Sequence, residues 1–293
     1  MQLDIDDQGR ERKAHGDHAF PLRISDERLS RYERSSFLWH WHPEVELTYV
    51  VAGRMRYQVN GAVYQLEQGQ GLFCNANALH TGGQLQGDCA YAAITFHPRL
   101  VYGSEGSRIH TRYVMGLADS AHLPGDAPWQ LEALSQLHAV YRLGRQQPPG
   151  YELAILSQLA ALYGVLSAQP ELRAAPAADP ALDRVRALLG VIRARYAHPL
   201  TLQELAASVN LSRSECCRLF KRHMGQSLFT YLLDYRVERS LPLLAAGERS
   251  VTEVAGEVGF ASPSYFAQVF KARMGCPPGA YRREARGLDS GRE

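Results

Sequence analysis

Two stretches of the chain carry one pattern: Leu202–Gly225, LQELAASVNLSRSECCRLFKRHMG, and Val251–Gly275, VTEVAGEVGFASPSYFAQVFKARMG. Ala206 pairs with Ala255, Val209 with Val258, Asn210 with Gly259, and Leu211 with Phe260. After one extra residue in the second copy, Ser212 pairs with Ser262, Leu219-Phe220-Lys221 with Val269-Phe270-Lys271, and Met224-Gly225 with Met274-Gly275. Each copy opens on a capping-box spacing, Thr201 with Glu204 and Ser250 with Glu253, ahead of a short amphipathic helix. The small Ala206 or Ala255 stands where a second helix must approach closely. Asn210 and Gly259 are the residue types that best tolerate a left-handed turn. Ser212 and Ser262 then cap a second helix.

One αα-hairpin of this kind could belong to any helical bundle. Two copies at matching offsets predict two helix-turn-helix units. Their second helices would enter successive major grooves of double-stranded DNA, about 34 Å apart on one face. The first of these helices should expose Arg213, Ser214, Cys217, Arg218, Lys221 and Arg222, a basic face. The second should expose Ser262, Ser264, Tyr265, Gln268 and Lys271, more polar than basic. Pro242, in the helix that joins the two units, should bend it by removing a backbone donor.

Charge agrees with this placement. Residues 182–293 hold 17 Lys and Arg against 11 Asp and Glu, whereas the rest of the chain holds 15 against 19. A polyanion partner is therefore expected for the back half only. With 293 residues, 45% hydrophobic and 21% charged, the chain suits two globular domains and not a disordered protein. Its five cysteines are scattered, with no CxxC pair, which argues against a zinc finger or a disulfide scaffold. No apolar run approaches the roughly 18 residues that a membrane span needs. The polar N-terminus lacks the apolar core of a signal peptide, so a cytoplasmic protein with reduced thiols is expected.

The front half reads differently. Glu46–Val51, Arg54–Val59 and Tyr91–Phe96 are short, rich in β-branched and aromatic residues, and read as strands of a small barrel or sandwich. Asn60-Gly61 between two such runs predicts a two-residue hairpin turn. From about residue 108 the period becomes helical. Trp129–Leu143 places Leu131, Leu134, Leu137 and Tyr141 on one stripe, and Tyr151–Ser167 does so with Leu153, Leu156, Leu159, Tyr163 and Leu166. Residues 1–20 read as a polar tail that carries His15 and His18. Residues 21–168 read as a first folded domain, 169–181 as a Pro- and Ala-rich linker, and 182–286 as the domain with the two helix-turn-helix units.

The back half resembles the AraC/XylS-type transcriptional regulators over about Asp183–Arg283. The resemblance rests on Leu205-Ala206, Leu211-Ser212, Arg218-Leu219-Phe220-Lys221, Tyr231-Leu232, Arg236, Val254-Ala255, Val258-Gly259-Phe260, Ser264-Tyr265-Phe266, Phe270-Lys271, Pro277 and Tyr281-Arg282. It implies that Ser214, Cys217 and Arg218 face bases from the first reader, and Ser264, Tyr265 and Gln268 face bases or backbone from the second. A thiol reads base edges poorly, so Arg218 is expected to carry the specificity, through guanine O6 and N7. The resemblance also implies a homodimer formed through the two helices at 129–167; packing of those helices back on the barrel is the alternative.

His40-Trp41-His42, Glu46 and Gly53, followed by Gly69 and His80, resemble the two motifs of the cupin barrels. Asn75, Asn77 and Gln84 depart from the second motif. The expected architecture is therefore an α+β two-domain chain: a cupin-like β-barrel plus helices, then an all-α double helix-turn-helix. The two resemblances imply that residues 21–168 are a cupin-like effector-sensing and dimerisation domain. In cupin enzymes His40, His42, Glu46 and His80 would hold one divalent metal. For a regulator the favoured expectation is that they line a pocket for an organic effector with no cofactor required; metal binding and relics without a ligand are the alternatives. Trp39 and Tyr49, with Trp41, Tyr57 and Tyr64, could supply stacking walls for a sugar or an aromatic compound. The expected function is a sequence-specific DNA-binding regulator that senses a small molecule. The alternative is a metal-dependent cupin dioxygenase or isomerase tethered to DNA.

Overall fold

Strand alternation organises the front half. The computed structural model describes residues 2–7, 9–17, 19–173 and 180–289, and divides the chain into Met1–Pro180 and Ala181–Glu293. The first unit contains β1 (Leu22–Arg28), β2 (Ser36–His40), β3 (Val45–Ala52), β4 (Arg54–Val59), β5 (Ala62–Glu67), β6 (Gly71–Cys74), β7 (His80–Gln84), β8 (Ala90–Phe96), α1 (Arg99–Tyr102), β9 (Ser120–Leu123), α2 (Pro128–Gln146) and α3 (Tyr151–Ser167). Two antiparallel sheets result, in the orders β1-β8-β3-β6-β9 and β2-β7-β4-β5. Along β3, Val45 and Leu47 join the core against the helices, whereas Val50 joins the core between the sheets. β8 repeats this split, with Ile94 and Phe96 on the helix side and Tyr91 and Ala93 on the inter-sheet side. A period of two thus sends alternate residues of one sheet into two different cores. The predicted hairpin is present: Val59 pairs with Ala62, and Asn60 and Gly61 both take positive φ, 46° and 95°.

Helices α2 and α3 pack on the sheet through Ala133, Leu137, Val140, Ile155, Leu159 and Leu162. The predicted stripes need correction at their N-terminal ends, since Leu131 is 58% and Leu153 74% exposed. The polar tail is also a correction. Asp6 and Arg12 donate backbone bonds to Arg10 and Asp4, which folds residues 4–12 back on themselves. Glu11 N–H then donates to Trp41 O and Trp41 N–H to Gly9 O, both at 3.0 Å, and Arg10 lies over the Trp41 ring. A polar sequence suggested a solvated tail, but its backbone bonds to Trp41 hold it in place. His18 and residues 174–179 of the expected linker lie outside the described residues. Gln169–Arg173 follow α3 directly, with Leu172 O accepting from Ala118 N–H.

The second unit contains α4 (Pro180–Arg195), α5 (Leu202–Ser208), α6 (Arg213–Met224), α7 (Leu228–Ala246), α8 (Val251–Glu257), α9 (Pro263–Met274) and α10 (Pro278–Asp289). The repeat is literal: α5 and α8 have seven residues each, α6 and α9 twelve each. Asn210 and Gly259 take φ of 54° and 89°. The turns bond alike, Leu211 N–H to Ala206 O and Phe260 N–H to Ala255 O. Ala206 and Ala255 are buried at the crossings, and Thr201, Ser212, Ser250 and Ser262 all cap their helices. α7 runs through Pro242 without interruption. Arg236 on α7 donates to Tyr196 O and His198 O and covers the Phe260 ring, so it ties the end of α4 to the second repeat.

Candidate DNA-reading face and histidine pocket

Capping and amphipathicity fix what α6 and α9 show to solvent. On α6, Cys216, Phe220, His223 and Met224 are buried, which leaves Arg213, Ser214, Cys217, Arg218, Lys221 and Arg222 exposed. On α9, Phe266, Val269 and Phe270 are buried, and Ser264, Tyr265, Gln268 and Lys271 are exposed, with the cap Ser262. A row of cations and hydroxyls on the second helix of such a unit has the chemistry to meet phosphates and base edges.

The second site lies between the sheets. His40 and His80 sit opposite each other across β2 and β7, and His42 follows β2. All three are buried, and one ring nitrogen of each lies within 4.8 Å of the others. Their orientation is set by the backbone: Nδ1 of His40, His42 and His80 bonds Leu38 O, Glu44 O and Ala78 O at 2.9, 3.1 and 2.8 Å. A carbonyl only accepts, so each Nδ1 carries a proton, and Nε2 is the atom of each ring that can offer a lone pair. Nε2 of His42 and of His80 are buried without a hydrogen-bond partner.

Burial, then the neighbouring imidazoles, pushes His40 well below its ordinary range; burial brings His80 down to about 4. For His42 burial works the same way, but Glu46, Glu11 and Glu44 outweigh it and raise the group. Burial would raise Glu46, yet His42, then His80 and His40, hold it well below the carboxylate range.

The donor set fits a divalent metal in part. The three imidazoles converge, and the unsatisfied Nε2 atoms of His42 and His80 are what an ion would bind. Glu46 does not complete the set. Its Oε1 accepts from Tyr57 OH at 2.8 Å and its Oε2 from Thr95 OH at 3.3 Å; only His42 Nε2 comes near, at 3.6 Å. A carboxylate and an imidazole that sequence reasoning placed in the tail stand there instead. Glu11 Oε2 is 3.0 Å from His15 Nε2 and 3.9 Å from His40 Nε2, and Glu11, His15 and His42 form a second converging triad. The i, i+4 spacing of Glu11 and His15 was the available signal.

Of the expected stacking walls, Tyr57 is in place, stacked on His80 with ring centres 6.0 Å apart. Tyr49 is not: its ring packs near His138 and Tyr141 of α2. It stands three residues from Glu46 on one strand and so faces the other way. Trp39 is buried but does not line the cavity; Tyr32, Phe37 and Tyr91, which sequence reasoning missed, do. This cavity, lined by Glu11, His15, His40 and Glu46 but not by His42 or His80, measures about 30 Å³. That is room for an ion or a water or two, whereas a sugar or aromatic ring needs roughly 300 Å³ or more.

Residues 205–284 match the family described as a helix-turn-helix domain, and residues 28–162 the AraC-like ligand binding domain. The uncharacterized HTH-type transcriptional regulator YdeC of Bacillus subtilis is 32% identical over 251 residues, 83% of this chain and 85% of that protein. The chain belongs to the AraC family of transcriptional regulators. The HTH-type transcriptional activator RhaR of Cronobacter sakazakii is 22% identical over 273 residues, 90% of this chain and 92% of that one. The crystal structure of ToxT from Vibrio cholerae covers 91% of this chain and 98% of its own at 14% identity, with a TM-score of 0.43. This AraC-family chain is a regulator with a ligand-binding domain and a helix-turn-helix DNA-binding domain, and the reading as a tethered cupin enzyme falls. Among the described residues no helix is long and apolar enough to cross a membrane.

Proposed function

We propose that α6 and α9 are the two DNA readers of this regulator, that Arg218 is its principal base-reading side chain, and that a ligand in the histidine pocket controls the affinity for operator DNA. The working species is a cytoplasmic homodimer, to which exposed Leu131 and Leu153 contribute apolar surface. The observation that supports the reading best is the exposed row Arg213, Ser214, Cys217, Arg218, Lys221 and Arg222 on a helix capped and turned like its repeat. The ligand must bind one state better than another, because equal affinity for both shifts nothing.

The test is binding of the full chain to a selected operator and to random DNA across a salt series. If about six phosphates are contacted, affinity falls roughly 10³-fold between 50 and 200 mM salt. Arg218→Ala should lose about 1–3 kcal/mol on the operator and little on random DNA. Equal losses on both would remove its base-reading role.

A further inference from the structure

We infer that the N-terminal segment completes a divalent transition-metal site, in which Glu11, with His15 beside it, supplies what Glu46 does not to the Nε2 atoms of His40, His42 and His80. The regulatory meaning of this site rests on the pocket being the effector site; its coordination chemistry does not.

Four observations carry the inference. First, two converging triads, His40-His42-His80 and Glu11-His15-His42, share His42 and therefore adjoin. Metal bonds of about 2.0–2.1 Å place tetrahedral ligands about 3.3 Å apart, so small side-chain shifts would close the observed spacing. Second, both oxygens of Glu46 accept hydroxyl bonds, from Tyr57 and Thr95, with His42 Nε2 3.6 Å away, while the described partners of the Glu11 carboxylate are the imidazoles of His15 and His40, at 3.0 and 3.9 Å. Third, Glu11 and Glu46 are both buried in one cavity, and the cation lining it, Lys13, lies 4.0 Å from a third carboxylate, Glu27. Two buried carboxylates in one cavity are costly without a counter-charge, and a divalent cation would balance them. Fourth, Glu11, His15 and His40 line one cavity together, and the backbone of Gly9 and Glu11 is bonded to Trp41, the residue between two of the imidazoles. Three imidazoles and a carboxylate suit zinc, nickel, cobalt or iron better than calcium or magnesium.

The site thus makes the N-terminal segment a strap whose seating depends on the ion. The test uses the full chain, stripped with chelator and titrated with Co²⁺, whose visible absorption reports coordination, followed by Zn²⁺ competition. A single tight Co²⁺ site is expected, lost in His42→Ala. Glu11→Gln should weaken it roughly 100-fold, the upper end of what losing even an outer-shell partner costs, and Glu46→Gln should weaken it less. Trypsin should cleave after Arg10, Arg12 and Lys13 more slowly with metal than without. The inference is overturned if the stripped chain takes up no Co²⁺ or Zn²⁺. It is overturned equally if Glu11→Gln binds like the parent, or if metal leaves those cleavage rates unchanged. Operator binding, measured separately, would expose a failure of the DNA-reading proposal without touching these outcomes.

Discussion

Replacing Gly259 by alanine should unseat the second reader. Gly259 takes φ of +89°, and a Cβ added there would stand 2.7 Å from Tyr196 O, 2.8 Å from Ala197 O and 2.9 Å from the Ala197 carbonyl carbon. The left-handed conformation costs an L side chain about 1–2 kcal/mol. The crowding is against backbone, which cannot swing aside like a side chain, and overpacking of this kind adds about 1–3 kcal/mol. A total near 3 kcal/mol corresponds to about 150-fold in an opening equilibrium. Hydrogen exchange of the full chain reads this locally: amides of α8 and α9 should exchange about 150-fold faster in Gly259→Ala, with β3 and β8 unchanged. Asn210→Gly, at the equivalent position of the first repeat with φ of 54°, is the control. It should change stability by less than about 0.5 kcal/mol. Exchange in α8 and α9 of Gly259→Ala within about twofold of the parent would refute the argument that this turn is sterically closed to a side chain.

Other perturbations test other parts. Tyr57→Phe removes the donor to a buried Glu46 oxygen and should cost about 1–3 kcal/mol in thermal unfolding; an unchanged melting temperature would show that this bond is dispensable. Ser212→Ala should cost about 1 kcal/mol of helix stability through the lost cap, seen as faster exchange in α6. Glu215, hydrogen-bonded to the Ser212 hydroxyl and N–H, has its carboxyl lowered from the usual range. Its contribution is therefore complete above that range and fades as pH falls through the lowered native value, so α6 protection should drop on acidification in the parent and less in Glu215→Gln. Ala255→Leu should force α8 and α9 apart at a fully buried crossing; an unchanged footprint over the second half-site would contradict the packing.

Local rules made the repeat legible. Asn210, Gly259 and Asn60-Gly61 announce positive φ by residue type, and Thr201, Ser212 and Ser250 announce helix starts by their spacing to glutamate. Each of these signals is settled within a few residues. The pocket was legible only for residues already on predicted strands, such as His40 and His80. Tyr49 was misplaced because its face depends on counting parity from Glu46, and residue type does not reveal parity. Glu11 and His15 were missed because their burial follows from a backbone pairing with Trp41, about thirty residues away, which nothing in a polar segment advertises. Leu131 and Leu153 were placed inward because a helical period fixes a stripe but not where the stripe outruns the sheet beneath it.

Arg236 holds the end of α4 by two carbonyls while lying over Phe260, and α7, nineteen residues long, spans about 28 Å between the repeats. The chain therefore carries a ruler. With α6 and α9 as the two proposed readers, an operator must present both boxes at one helical phase, and an insertion of about five base pairs between them would turn the second box to the far side of the duplex. Point changes within either box could be tolerated one by one, whereas a change in the gap would have to come in whole turns.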